Sequence, residues 1–202
     1  MSKKILIVGG TGTVGSAVAK AMQANDYEVI TAGYSNGDVQ VDITSTDSIK
    51  VMYKQVGRVD AVVSTVGKLH FGALVDFTEE QYQIGLNNKL MGQVNLVTLG
   101  IDYVNDNGSF TLTAGTLNRD PIEFGVSAAM VNGALEGFTH GAALEMPRGQ
   151  RINVVSPTVV TESLPNYGPF FRGYESVDAD KAALAYVKSV AGLQTGQTFI
   201  AV

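Results

Sequence analysis

Gly9, Gly10, Gly12 and Gly15 carry the clearest chemistry in this chain. Gly10, Gly12 and Gly15 fit G-x-G-x-x-G, while Gly9, Gly12 and Gly15 fit G-x-x-G-x-x-G. In such a turn one glycine permits the bend, one lets backbone N–H groups reach a pyrophosphate, and one lets helix pack on strand. A following helix offers unpaired N–H groups and a positive dipole end to the anion. Glycine turns also serve purely structural ends, so context decides. Here Lys4 to Val8 reads as a buried strand and Thr13 to Val18 as a helix start, which is the context a dinucleotide site requires.

Other chemistry is thinly supplied. The chain has no cysteine, which excludes disulfides, thiolate metal sites and cysteine nucleophiles. Its two histidines, His70 and His140, lie far apart, and no metal-ligand spacing is visible. A net charge of −5 argues against a general nucleic-acid or anionic-membrane binder. The apolar run Ile5 to Val8 is too short for a signal-peptide core, and no run approaches the roughly 18 apolar residues of a membrane span. A cytoplasmic protein is the expectation. With 202 residues, 45% of them hydrophobic, the chain reads as one dinucleotide-binding domain over 1–202.

The elements that must position the glycine turn follow in a regular rhythm. The first helix runs on to Met22 and ends at Asn25-Asp26; Glu28 to Ala32 and Val39 to Val41 read as strands. Thr44 or Ser45 caps a helix through Gln55, and Ala61 to Ser64 is a fourth strand. Helical material from Thr78 to Tyr103 is expected to break at Gly85, Gly92 and Gly100. After the turn Asn105-Asp106-Asn107 comes a strand from Gly108 to Leu112, then a long small-residue helix from Ser127 to Glu145 stopped by Pro147. Arg151 to Val155, a helix over Asp178 to Val190 and a strand over Thr198 to Val202 complete the pattern. Alternating strands and helices imply an α/β fold, a single Rossmann-like doubly wound parallel sheet of about seven strands with helices on both faces.

In such sheets ligands lie beyond the carboxyl ends of the strands, where strand order reverses. That rule gathers Gly9–Gly15 (with Thr11, Thr13 and Val14), Gly33-Tyr34-Ser35, Asp42-Ile43, Ser64-Thr65-Val66-Gly67, Ala114–Thr116 and the loop after Pro157 into one site.

These loops and the strands that carry them resemble the short-chain dehydrogenase/reductase superfamily over nearly the whole chain. Val8 to Ala19 is similar to the family's glycine motif, with the spacing of its extended and atypical branches. Asp42-Ile43 is similar to the pair that lies against the adenine, and Ser64-Thr65-Val66-Gly67 stands at the Asn-Asn-Ala-Gly position. Gly133 to Phe138 with Ala142 to Glu145 resembles the long interface helix, and Arg151 to Pro157 the Arg-x-Asn-x-Val-x-Pro strand. The resemblance implies a nicotinamide dinucleotide as partner, a small-molecule substrate, and a homodimer or homotetramer built through the helix near 127–145. A helix packed only on its own sheet is the alternative for that helix.

The departures bear on activity. The family implies a Tyr-x-x-x-Lys pair on the long helix, and in register these positions are Ala128 and Asn132, neither of which ionises. The serine position holds Ala114-Gly115, flanked by Thr113 and Thr116, and the supporting asparagine aligns with Lys89, beside Asn87 and Asn88. Catalytic residues are therefore unassigned, with Thr113, Lys89, His70 and Tyr167 as candidates. Each has an ordinary structural alternative: a strand-end threonine, a solvated helix lysine, a loop histidine and an aromatic packed on the core. Only about twenty residues separate Pro157-Thr158 from the last helix, so a lid over the cleft is short.

No Asp or Glu follows the second strand to accept from a ribose 2′-OH, which favours NADP over NAD, with Tyr34 stacking and Ser35 hydrogen-bonding. No Arg or Lys stands there either, and a plain turn is the alternative. The implied activity is an NAD(P)-dependent oxidoreductase with a degenerate or rearranged active site. The alternative is a non-catalytic NAD(P)-binding protein, a sensor or oligomeric partner.

Overall fold

The computed structural model describes residues 2–202; Met1 lies outside the described residues. The strands β1 (Lys4–Val8), β2 (Glu28–Gly33), β3 (Val39–Gln40), β4 (Val59–Ser64), β5 (Val104–Thr113), β6 (Arg151–Pro157) and β7 (Thr198–Ala201) form one sheet. They run in the order β3-β2-β1-β4-β5-β6-β7, every pair parallel. Strand order reverses between β1 and β4, so the crevice predicted for a ligand opens above Val8 and Ser64, which are register partners.

The helices are α1 (Thr13–Gln23), α2 (Thr46–Val56), α3 (Glu79–Ile84), α4 (Met91–Gly100), α5 (Val126–Ala142), α6 (Leu164–Tyr167) and α7 (Ala179–Ala191). Both sheet faces are covered, which is why the central strands read as unbroken apolar runs. The period of two then sorts them. Leu6, Val8, Val62, Phe110 and Ile152 pack with Met52, Tyr53, Leu96, Val131 and Leu135 on one face. Ile5, Ile7, Val63 and Val155 pack with Val18, Met22, Ala183 and Tyr186 on the other. Among the described residues no helix is long and apolar enough to cross a membrane.

Ser45 caps α2, its side chain accepting from the Ser48 N–H, while Thr44 turns instead to Asp42. Three segments differ from the sequence reading. The glycines between Thr78 and Tyr103 do not break the helical run: after a capping box at Thr78, α3 passes through a π turn over Gly85–Leu90 directly into α4. Gly92 is needed for packing, since a Cβ there would lie 2.7 Å from Ile43 Cδ1. The turn at Asn105–Asn107 is absorbed into β5 as an irregularity, with the β4–β5 register shifting between Val59 and Ala61. Finally α5 ends at Ala142, three residues before the predicted end.

Candidate functional site

The glycine turn is built from β1 outward. Gly9 has φ +88°, and its N–H donates to Ala32 O at 2.7 Å, tying the turn to β2. A Cβ at Gly9 would lie 2.6 Å from Val66 Cγ1, so the turn and the β4 loop fit only without one. Gly12 precedes α1 in extended conformation and gives it no side-chain cap. The first-turn amides of Thr13, Val14 and Gly15 are therefore left to an external acceptor at the positive end of the helix. Gly15 lies where a Cβ would sit 2.0 Å from Gly9 O, so its absence is what lets α1 rest on the turn. Thr11 and Thr13 are exposed beside these donors.

On one side of the turn is a cavity of roughly 410 Å3, whose lining includes Gly33, Tyr34, Asp42, Ile43, Val66 and Gly67. The structure thus brings together most residues assigned to the adenine end. The Asp42 carboxylate accepts from the Thr44 hydroxyl (2.7 Å) and N–H (2.9 Å). These bonds, with the Lys68 charge, hold it below the usual carboxylate range. Tyr34 is 78% exposed, its ring free to cover a ligand, and Ser35 is exposed outside the lining. Ser64 and Thr65 stand behind the surface: the Ser64 side chain is buried, and the Thr65 hydroxyl donates to Val8 O. Lys68 and Asn88 also line this cavity, and the Lys68 N–H donates to Asn88 Oδ1 at 2.7 Å. The Asn87-Asn88-Lys89 run was the available signal for Asn88.

On the other side an inner cavity of roughly 340 Å3 is bounded by Val14, Gly67, Lys89, Ala114, Ala128, Asn132, Pro157 and Thr158, among others. Lys89 is not the solvated lysine expected of a helix surface. The π turn carries it inward to 9% exposure, and its Nζ donates to Ala114 O (2.8 Å) and Asn132 Oδ1 (2.9 Å). Burial pushes its pKa down to about 8. Ala128 and Asn132 share one face of α5, four residues apart, and both line the cavity. Gln93, buried one turn after Lys89 and overlooked in the sequence, steadies this corner by bonding Lys89 O and both the N–H and C=O of Thr113.

The remaining candidates fall away from this corner. The Thr113 hydroxyl donates to Ser64 O (2.6 Å) and pairs with Tyr186 OH (2.7 Å), on the face toward α7 and outside the cavity lining. His70 packs edge-on against Phe77, with ring centroids 5.3 Å apart. Tyr167 packs near Phe71 and lines an outer cavity of roughly 520 Å3, which shares Gly67, Leu69, Phe71, Val159, Val160, Ser163 and Phe171 with the inner one. The two form one cleft.

Gly67 is the hinge of the arrangement. It has φ +150°, and a Cβ there would lie 2.4 Å from Lys89 Cγ and 2.8 Å from Cβ and Cδ. Gly67→Ala is expected to force the lysine stem aside, costing about 2 kcal/mol of stability, an overpacking cost read by urea unfolding. Unchanged stability would mean that the loop and Lys89 do not pack in this way.

Residues 10–191 match a family profile described as Enoyl-(Acyl carrier protein) reductase. The chain is similar in sequence to the short-chain dehydrogenase/reductase ATR9 of Stachybotrys chlorohalonatus, 26% identical over 197 residues, with 83% of this chain and 76% of that protein covered. It is similar in structure to the protein lin1944 of Listeria innocua, 53% identical with TM-score 0.96, over 98% of this chain and 99% of that one. A small-chain dehydrogenase solved in complex with NADPH shares the fold, at 24% identity and TM-score 0.88 over 99% and 96% of the two chains.

Proposed function

This chain belongs to the short-chain dehydrogenase/reductase superfamily, and from that premise we propose that it is an NAD(P)-dependent oxidoreductase acting on a small molecule. The observation that carries the reading is the continuity of the cleft. The uncapped start of α1 lies between a cavity lined by Asp42 and Ile43 and a cavity lined by Lys89 and Pro157, and the two cavities meet at Gly67. A dinucleotide needs that sequence of environments: a flat apolar slot, an anion cradle and a reaction chamber.

The residues present fit the group. A Cβ at Gly12 would have only Gly9 O within 4 Å, at 3.4 Å, so the space above the turn is open to a pyrophosphate held by the Thr13, Val14 and Gly15 amides. Ile43 and Val66 would flank the adenine, and Pro157-Thr158 would support the nicotinamide end. When bound, the nicotinamide supplies or accepts the hydride. Cofactor choice rests on β2: its end carries neither carboxylate nor cation, which favours NADP, with the exposed Tyr34 and Ser35 available to its ribose phosphate. The reading includes self-association through α5, supported by its exposed Met130 and by Gly137 and Gly141, where an added Cβ would meet nothing.

One observation favours a second reading. Ala128 leaves the cavity wall of α5 without a phenol, as a non-catalytic sensor of the dinucleotide would allow. Titration with NADPH and NADH, followed by a panel of carbonyls and alcohols at the nicotinamide absorbance, separates the two. Turnover is expected. Saturable binding with no turnover across the panel would favour the sensor.

A further inference from the structure

We propose that Lys89 is the proton donor of this site and that the substrate is an apolar aldehyde or ketone seated in the outer cleft. This rests on the dinucleotide reading above. A lysine on a helix reaches water at little cost, yet Lys89 is held inward and no carboxylate pairs with it among the described residues. Its two acceptors are neutral, a backbone carbonyl and an amide. A buried cation without a counter-ion weakens a fold, and a methionine of similar length would fill the same space. Such a group facing a cleft is a signature of a working site.

The geometry assigns the proton. An ammonium has three N–H groups; two are committed to Ala114 O and Asn132 Oδ1, which leaves one for a ligand in the cavity that Lys89 lines. Among the described residues no other lysine, arginine or histidine and no carboxylate lines that inner cavity. From β5 the neighbouring side chain is Thr113, bonded to Tyr186; from α5 come Ala128 and Asn132; from the π turn, Asn88; and the β4 loop brings Lys68, which lines the other two cavities. When bound, a reduced nicotinamide would supply the hydride to the carbonyl carbon and be oxidised; as the C=O π pair moves onto oxygen, Lys89 Nζ gives that oxygen its proton. Lys89 is left as a neutral amine and regains its proton from solvent. Asn132 and Ala114 O are positioning groups, fixing Nζ.

The substrate class follows from the walls. Leu69, Phe71, Ile84, Tyr167 and Phe171 line the outer cavity, with Lys68 and Ser163 as its polar side chains and no carboxylate among the described residues. At roughly 520 Å3 it takes an aromatic-sized substituent while the carbonyl reaches Lys89 through the shared wall.

The test uses the full chain, Lys89→Met, Lys89→Arg and, should Met at this position not fold, Lys89→Gln. NADPH and NADH titrations come first; failure of both with the unaltered protein overturns the dinucleotide reading itself. With the cofactor bound, turnover of benzaldehyde and acetophenone is compared with that of pyruvate. Lys89→Met is expected to retain the cofactor and lose about a hundredfold or more in kcat, the usual worth of a positioned acid. In the unaltered protein kcat should fall as pH rises through about 8. Lys89→Arg, which keeps the charge but does not give up a proton, should lose kcat much as Lys89→Met does and show no fall through pH 8. An independent readout needs no cofactor. Between pH 7 and 9.5 the unaltered protein should gain Tm relative to Lys89→Met, because the folded lysine sheds its costly charge near 8 while the unfolded one keeps its proton to about 10.4. Retained kcat in Lys89→Met, a pH-independent Tm difference, or a preference for pyruvate would each overturn the proposal.

Discussion

Gly12→Glu is expected to lower dinucleotide affinity by at least about a hundredfold while leaving the fold intact. The structure separates these outcomes. An added Cβ meets only Gly9 O, at an ordinary van der Waals distance of 3.4 Å, so the backbone need not move. The new carboxylate stands before α1, where it can take the first-turn amides for itself and interact favourably with the helix dipole. It thereby occupies the donors a pyrophosphate would use. Two unit charges about 4 Å apart at an effective dielectric of 20 repel by about 4 kcal/mol, some three orders of magnitude in binding. The check is a paired measurement: a thermal melt that matches the unaltered protein and a titration that no longer saturates. A melt and an affinity both unchanged would mean that the ligand does not lie over this turn.

The second large effect is on the fold itself. Gly15→Ala adds one methyl group, yet the Cβ would sit 2.0 Å from Gly9 O, 2.7 Å from Gly9 C and 2.7 Å from Thr65 Oγ1. Two of these atoms are backbone just past the end of β1, an interior strand of the sheet, so no flexible side chain can yield. α1 must lift from the turn, which loosens its contact with α7 and withdraws its own Val18 and Met22 from the core on that face. Overpacking of this kind costs about 3 kcal/mol, or a Tm lower by about 6–12 °C in a chain of this length. Cofactor affinity should fall as well, because the amides of α1 would no longer converge. The contrast is the informative part: of two glycines three residues apart, one is spared by the fold and needed by the ligand, the other needed by both.

Much of this was legible in the sequence, for a physical reason. The β1 turn is fixed by short-range sterics, and glycine spacing records it. The parallel sheet is recorded in apolar runs that only a doubly covered strand can sustain. Lys89 was not legible, because its inward turn depends on the π segment over Gly85–Leu90. That segment is set by tertiary fit: a Cβ at Gly85 would lie 3.0 Å from Leu69 Cδ2 and 3.1 Å from Ser127 Oγ, residues far along the chain. A period of 3.6 cannot anticipate such a phase change. Thr113 is the opposite case. It stands as a candidate in the sequence, although the alternation along β5 places it on the same side as Thr111, which in the structure bonds Ser189 of α7, away from the cleft.

The binding of a nicotinamide dinucleotide to the Gly9–Gly15 turn is the claim on which the rest depends. It is tested most directly by titrating NADPH and NADH into the unaltered protein and into Gly12→Glu in parallel, following nicotinamide fluorescence. Saturable binding of at least one of them to the unaltered protein is expected, with NADPH the tighter, and its loss in the variant. Absence of binding by both dinucleotides, or equal binding by the two proteins, would contradict it.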